Sequence, residues 1–395
     1  VVSLGAIAVC ESLKIASLDL DAQIIRYVRK EYNIEIGPLT AEMINEELKI
    51  RQQGYGRGDR MKIETDQVQI TSGVRHGMTL GSPITLVIKN KDNKNWGEVM
   101  AIEPIVEHNY EIKKVPRPGH ADLVGAIKYG HRDLRNVLER SSARETAIRV
   151  AVGAVAKQIL KVLDIEVMAH VLQIGKISVT DYPKTIQEIK EVIKDSPVRC
   201  TNQDSSIKMC EHIDEAKQKG DSLGGLVQVL AENVPAGLGS YVQFDRKLDA
   251  KIAAAIMGVQ SVKGVYFGDA MLASQEFGSV VHDQITYEDG FTRSSNHYGG
   301  FEGGMTNGMP IVVHAMIKPI PTLYQPLNSI HIETKEVRES MIERSDSCVV
   351  PAAGVVLEAV LAFELAKEIL EEFQSNQMST LIEAVQRHRQ AVREF

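Results

Sequence analysis

Two long helices with matching entrances constrain this chain more than any other feature. The first is predicted to begin at Ser142, with Glu145 three residues on completing a capping box. Ile148, Ala151, Val152, Val155, Ile159 and Leu163 then recur at helical spacing as one apolar stripe. The second begins near Pro351, a favoured first-turn residue, and runs through VVLEAVLAFELAKEILEEF to Phe373. Glu139-Arg140-Ser141-Ser142 precedes the first helix, and Glu343-Arg344-Ser345-Asp346-Ser347 precedes the second. This weak internal repeat predicts an α/β chain with pseudo-symmetric halves. Each entrance sets unpaired backbone N–H groups and a positive dipole end beside an arginine, which suits a phosphate, although a capped helix requires no ligand.

Shorter elements fill in the rest. TAEMINEELKIRQQ (40–53) has Ile44 and Leu48 at helical spacing with Thr40 as its cap, and GYGRGDR (54–60) breaks that helix. PITLVIKN (83–90), GGLVQVLAE (224–232) and IVVHAMI (311–317) read as strands. The tail, residues 376–395, reads as an exposed helix without site chemistry.

Arginine is concentrated in turn-like stretches: GYGRGDR (54–60), VRHG (74–77), RPGH (117–120), GHRDLR (130–135) and ERSSAR (139–144). Any one of them reads equally well as a solvated loop. Five together in a chain of net charge −7 point to a pocket for small polyanions, since the planar guanidinium binds phosphate and carboxylate bidentately. The negative balance argues against nucleic acid as a partner. No apolar run reaches the ~18 to 20 residues of a membrane span, and the opening VVSLGAIAVC lacks the flanks of a signal peptide, so it reads as a strand or buried segment. Cys10, Cys200, Cys210 and Cys348 show no CxxC pair and no zinc-ligand spacing. That pattern predicts no metal site, no disulfide framework and a reducing cytoplasm. GGFEGGMTNG (299–308) follows neither the dinucleotide nor the phosphate-loop pattern, and reads either as a surface loop or as backbone that approaches a ligand closely. In KPIPT (318–322) two prolines hold the lysine in place.

Taken together, LTAEMINEEL, RQQGYGRGDRMKIETD, SGVRHGMTLGSPI, RPGHADLVGAIKYGHRDLRNVLERSSARET, GLGSYVQFDRKLDA, GGFEGGMTNGMPI, KPIPT and ERSDSCVVPAAGVVLEAV resemble the chorismate synthase family over residues 37–375. RSSARET and RSDSC are the most specific of these. The resemblance implies an α/β (α+β) fold: a β-α-β sandwich with pseudo-symmetric halves, its long helices packed between or against antiparallel sheets. It implies a lyase of the shikimate pathway to aromatic amino acids. Phosphate is lost from 5-enolpyruvylshikimate 3-phosphate by 1,4-anti elimination to give chorismate, and reduced FMN is required without net redox change. In the family's accepted picture the flavin transiently supplies electron density as phosphate leaves, and its N5 takes the proton from C6. A homotetramer is implied, with flavin reduced by NADPH on the chain itself or by a separate flavin reductase.

Residue by residue, Arg51 and Arg57 match arginines assigned to NADP contact. Arg140, Ser141 and Ser142 match a flavin-contacting turn, as do Gln260, Ser261, Gly303, Arg344 and the run Lys318, Pro319, Ile320, Pro321 and Thr322. His120 matches one of the family's two catalytic histidines, and Asp346 the aspartate that assists proton removal at the flavin. Read without the resemblance, His120 is a structural loop histidine and Asp346 a helix cap. The chemistry agrees with the resemblance: a leaving phosphate gains charge and needs cations, and histidine donates protons near neutral pH. His76 is a further pocket-lining candidate.

The N-terminus departs from the family. Its first strand carries Gly-Glu-Ser-His-Gly with the second catalytic histidine, whose place falls near Ala22; no histidine precedes His76 here. Residues 1–36 instead resemble part of a bacterial actin-like, rod-shape-determining protein, too short to form its nucleotide site. The expectation is a sheet lacking one strand, or with KIASLDL in its place, and impaired turnover. A flavin- or anion-binding homologue without turnover is the alternative; a filament component and a stand-alone NADPH:flavin reductase are more remote.

Overall fold

The computed structural model describes residues 38–58, 61, 65–76, 78–97, 99–104 and 110–395. The expectations for residues 1–36, including the replaced first strand and the place of the second histidine, lie outside the described residues. The helices that matter here are α1 (Pro38–Gln52), α2 (Asp122–Tyr129), α3 (Arg135–Ser141), α4 (Thr146–Val162), α5 (Ile186–Ile193), α6 (Gln203–Gln218), α7 (Leu248–Met257), α8 (Val350–Phe373) and α9 (Met378–Glu394). The strands are β1 (Val68–Ser72), β2 (Thr85–Ile88), β3 (Glu166–Ile174), β4 (Ile177–Ser178), β5 (Gly225–Glu232), β6 (Val262–Phe267) and β7 (Ile311–Ile317).

Helix α8 is apolar on nearly every side, with Val355, Val356, Leu357, Ala359, Leu361, Ala362, Leu365 and Ile369 all buried. Such a helix needs partners all round it. It has α4, α1 and α7 beside it, and β3 and β5 beneath. The sheet under α8 has the order β4-β3-β5-β7-β6 and is antiparallel throughout. A smaller antiparallel pair, β1 with β2, packs on the far side of α4. The helices therefore lie between antiparallel sheets, as expected.

The α4–α8 crossing is close because Gly153 has no side chain. A Cβ there would sit 2.3 Å from the Ala359 Cβ and 2.6 Å from its carbonyl oxygen. Polar contacts fix the same crossing. Glu358, buried in mid-α8, accepts from the Ala169 N–H at 2.9 Å and from Arg199 Nη2 at 3.1 Å, and also pairs with Lys157 of α4. Lys157 reaches on to Glu47 of α1 at 2.8 Å. One charged network thus joins three helices and a strand.

On the outer face of the sheet, His170, Gln228, His314 and Tyr266 form one rung across four strands. His170 Nε2 lies 2.8 Å from Gln228 Oε1, and Gln228 Nε2 lies 2.8 Å from His314 Nε2. The Tyr266 ring stacks on His314 at 4.4 Å. Burial pushes each imidazole down to about 4, against the opposing effects of the hydrogen bond His170 donates to Gln228 and of the Asp269 charge at His314.

Several sequence expectations need correction. Ser142 caps a 3-10 turn over Ala143–Glu145, accepting from the Arg144 N–H at 3.3 Å, and the α-helix follows at Thr146. Because of that turn, the Glu145 carboxylate points along the helix to Arg149 Nε at 3.0 Å and to Gln260 Nε2 at 2.6 Å, so no capping box forms. Helix α1 begins at Pro38, which puts Thr40 inside it. The tail helix α9 docks through Leu381 and Val385, both buried, instead of standing in solvent. Among the described residues no helix is long and apolar enough to cross a membrane.

Two stability predictions follow from these contacts. Gly153→Val should lower the denaturation free energy by about 3 kcal/mol, since overpacking at a rigid crossing cannot relax cheaply; an unchanged urea midpoint would contradict the crossing. The histidine rung makes stability pH-dependent. Above the ordinary histidine value of 6.5 both rings are neutral, folded or unfolded. Between 6.5 and about 4 only the unfolded chain takes up the protons, so stability falls as pH falls. The loss is on the order of 3 kcal/mol per ring once complete. A His314→Gln variant should lose its share of that dependence in denaturation curves taken from pH 7 to pH 4.

Candidate active site

Arg117 and His120 sit in the loop leading into α2. Arg117 is buried, donating from Nε to Asp122 Oδ2 at 2.9 Å and from Nη1 to Thr322 Oγ1 at 2.7 Å. His120 Nδ1 lies 2.6 Å from Asp122 Oδ1. Lys318 donates to the Gly119 carbonyl beside it. Burial, with Lys263 nearby, lowers the Lys318 pKa from its ordinary value. A groove of about 800 Å³ opens here, with His120, Leu123, Ile127, His131 and Ile330 in its walls.

Asp346 lies on the turn before α8, against the GYGRG loop. Its Oδ1 accepts from the Gly58 N–H at 2.6 Å, and its Oδ2 faces Arg57 Nε at 3.2 Å in an ion pair. The neighbouring Ser347 donates its N–H to the Gly56 carbonyl at 2.9 Å. Cys348 follows; burial pushes its thiol up to about 12. Arg344 donates from Nη2 to the buried Asp92 at 2.6 Å. Hydrogen bonds from Asn95, Trp96 and Arg344 hold the Asp92 carboxyl below its usual range against the opposing effect of burial.

The residues 318–325 join these two places. Lys318 and Thr322 touch the His120 loop, while Tyr324 Oη accepts from the Ser345 N–H at 3.3 Å. The contacts continue in the other direction. The Lys318 N–H donates to the Ser261 carbonyl at 2.8 Å, and Gln260 reaches Glu145 at the α4 entrance. Arg51, under that entrance, donates from Nη2 to Thr146 Oγ1 at 2.8 Å and lies within electrostatic reach of Arg57 and Asp346. The contacts form a closed circuit, and the entrances of α4 and α8 open at the same end of the helix layer.

The expected residues fall unevenly on this circuit. Arg57, His120, Gln260, Ser261, Lys318, Thr322 and Asp346 are on it, and Arg344 adjoins it. Ser142 is at the α4 entrance, whereas Ser141 donates its hydroxyl back to the Val137 carbonyl at 2.8 Å. Ile320 is held through its carbonyl by the Ser222 hydroxyl at 2.7 Å, with Pro319 and Pro321 on either side. Arg140 is exposed on the last turn of α3. Gly303, at the tip of the 301–306 hairpin, lies nearest Tyr241. Among the described residues, neither Arg140 nor Gly303 takes part in the contacts that form the circuit. His76 is exposed, with φ +49. Arg51 is buried, its guanidinium engaged by Thr146, the Ala143 carbonyl and Asp66; burial, then the charge of Arg57, lowers it to about 10.

Sequence reasoning missed two residues, Arg117 as an individual group and Asp122. The signal was present in RPGHAD, where an acid follows the histidine by two positions. Among the described residues, one buried polar atom on the circuit, Gln260 Oε1, has neither a hydrogen-bond nor an ion-pair partner. An unpaired amide oxygen fits a ligand N–H or O–H donor, such as a flavin ring offers, while the guanidinium groups along the circuit suit anionic groups.

Known proteins resemble this chain over most of its length. The family model described as chorismate synthase matches residues 34–370. A chorismate synthase from Geobacillus sp. (strain WCH70) is 58% identical over 363 residues, covering 90% of this chain and 93% of the relative. One from Listeria welshimeri is 56% identical over 365 residues, covering 91% of this chain and 94% of the relative. A solved structure titled "Crystal Structure of Chorismate Synthase" superposes with TM-score 0.72 at 40% identity, covering 91% of each chain. Similarity of this extent ranks the enzyme reading above a binding-only homologue. With its antiparallel sheets, its paired helix entrances and its clustered motifs, the chain belongs to the chorismate synthase family.

Proposed function

We propose that the chain eliminates phosphate from 5-enolpyruvylshikimate 3-phosphate to form chorismate, with His120 and Asp346 as its proton-handling groups. The convergence of RPGHAD, GYGRG, KPIPT and RSDSC on one contact circuit carries this reading. Arg57 would hold an anionic group of the substrate, while Arg117, engaged by Asp122 and Thr322, supplies fixed positive charge beside His120; preorganised cations stabilise charge as it grows on the departing phosphate. His120 exchanges a proton through its ring, and Asp346, oriented by Gly58 and Arg57, assists proton removal. Reduced FMN, when bound, supplies electron density to the reacting ring. Ser142, Gln260, Ser261, Lys318–Thr322 and Arg344 would hold it, with Arg140, Ser141 and Gly303 as outer contacts.

Arg51 contributes by fixing the α4 entrance, because its guanidinium is already engaged by protein groups. That favours a separate flavin reductase over NADPH bound at Arg51 as the source of reducing equivalents. The enzyme would work in the cytoplasm as a homotetramer; exposed Tyr241, Val242, Phe244 and Phe277 offer apolar surface for such contacts.

The deciding experiment is anaerobic stopped-flow with photoreduced FMN and 5-enolpyruvylshikimate 3-phosphate. Chorismate and phosphate should appear in equal amounts. FMN binding without chorismate would overturn the reading in favour of a binding-only homologue. In the same assay Gly58→Ala should lower kcat/KM by roughly 10²-fold with the fold intact by circular dichroism, because displacing a catalytic turn by about 1 Å costs that much. The added methyl would meet the Ser345 carbonyl at 2.7 Å and Asp346 Oδ1 at 3.3 Å.

A further inference from the structure

Asp122 is fully buried between Arg117 and His120. Its Oδ2 accepts from the Arg117 backbone N–H at 3.1 Å and from Arg117 Nε at 2.9 Å. Its Oδ1 accepts from Arg117 Nη2 at 3.1 Å and faces His120 Nδ1 at 2.6 Å. Burial alone would raise the Asp122 pKa, but hydrogen bonds from His120 and Arg117, with their charges, outweigh it and hold the carboxyl well below the usual range. An ionised carboxylate only accepts, so the hydrogen of the 2.6 Å bond resides on His120 Nδ1. Arg117 Nη2 stands 3.0 Å from Nδ1 and 3.2 Å from Nε2; nearly equidistant from both, it lies over the ring and leaves the in-plane position at Nε2 open.

We propose that Asp122 is a positioning residue for the elimination: it fixes His120 in the Nδ1-protonated tautomer and makes Nε2 the atom through which the ring exchanges its proton. The inference rests on the proton-handling role given to His120 above. In the step, a proton carried on Nε2 passes to the reacting group, the N–H electron pair stays on Nε2, and the ring returns to its neutral form with Nδ1–H still bonded to Asp122. The other titratable or charged groups lining the groove are His131, Arg132 and Lys335, with Lys318 beside Gly119. None of them is a carboxylate, so none competes with Asp122 for Nδ1–H.

Asp122→Asn inverts this arrangement. The Arg117 N–H and Nε claim the amide oxygen on the Oδ2 side, which turns the NH₂ group toward His120 Nδ1 and forces the proton onto Nε2. The test is nitrogen-15 NMR of the full-length chain with labelled histidine, the His120 signals being identified by their loss in His120→Gln. Wild type should show His120 protonated at Nδ1. Asp122→Asn should show the opposite tautomer, with kcat reduced roughly 10²-fold or more and FMN affinity retained. Wild-type His120 protonated at Nε2, or an Asp122→Asn chain with unchanged tautomer, would overturn the inference. If Asp122→Asn fails to fold, the wild-type spectrum alone decides. The tautomer is read without substrate or flavin. Absent wild-type turnover therefore counts against the proposed reaction, whereas a wrong tautomer counts against Asp122 alone.

Discussion

The close crossing of α4 and α8 at Gly153 and Ala359 is the constraint on which the rest of the structure depends. It aligns two helices whose first turns then emerge side by side. A bulkier residue at the crossing would spread those turns, and no rearrangement of surface loops could bring them back. The Glu358 network resists sliding along the same interface, because a shift of either helix would leave a buried charge without its partner. Packing in the middle of the molecule thus decides the geometry at its end.

At that end, arginines are held by buried or half-buried aspartates. Asp66 holds Arg51 and Arg144, Asp92 holds Arg344, Asp122 holds Arg117, and Asp346 faces Arg57. Burying such pairs adds little to stability on balance, since desolvation offsets the attraction. Their value lies in position: a guanidinium tied on one side presents its other donors in a fixed direction. Cations tied in this way are already oriented, so an anion bound there would not have to order them.

Local periodicity made the secondary structure legible. The stripe from Ile148 to Leu163, the apolar run after Pro351 and the β-branched run at 311–317 all appear as read, within a few residues. The capping box failed because Ser142 and Glu145 have the right spacing but are separated by a 3-10 turn that spacing cannot reveal. The site was legible as a set of motifs, not as an arrangement. Arg51 matches a ligand-contacting arginine, yet its bond to Thr146 spans 95 positions of sequence and turns it inward. Asp122 was overlooked for a related reason: its role depends on which atoms of Arg117 and His120 it faces, and a string of letters carries no such directions.

Cys348 has a consequence for durability. A reduced flavin releases peroxide whenever oxygen reaches it, and a thiol two residues from Asp346 would be an obvious casualty. Peroxide attacks the thiolate, and a thiol pushed up to about 12 by burial has almost none at any pH a cell provides. The packing that seats the turn before α8 against Gly56 thereby protects the sulfur chemically, keeping it from oxidation to sulfenic acid.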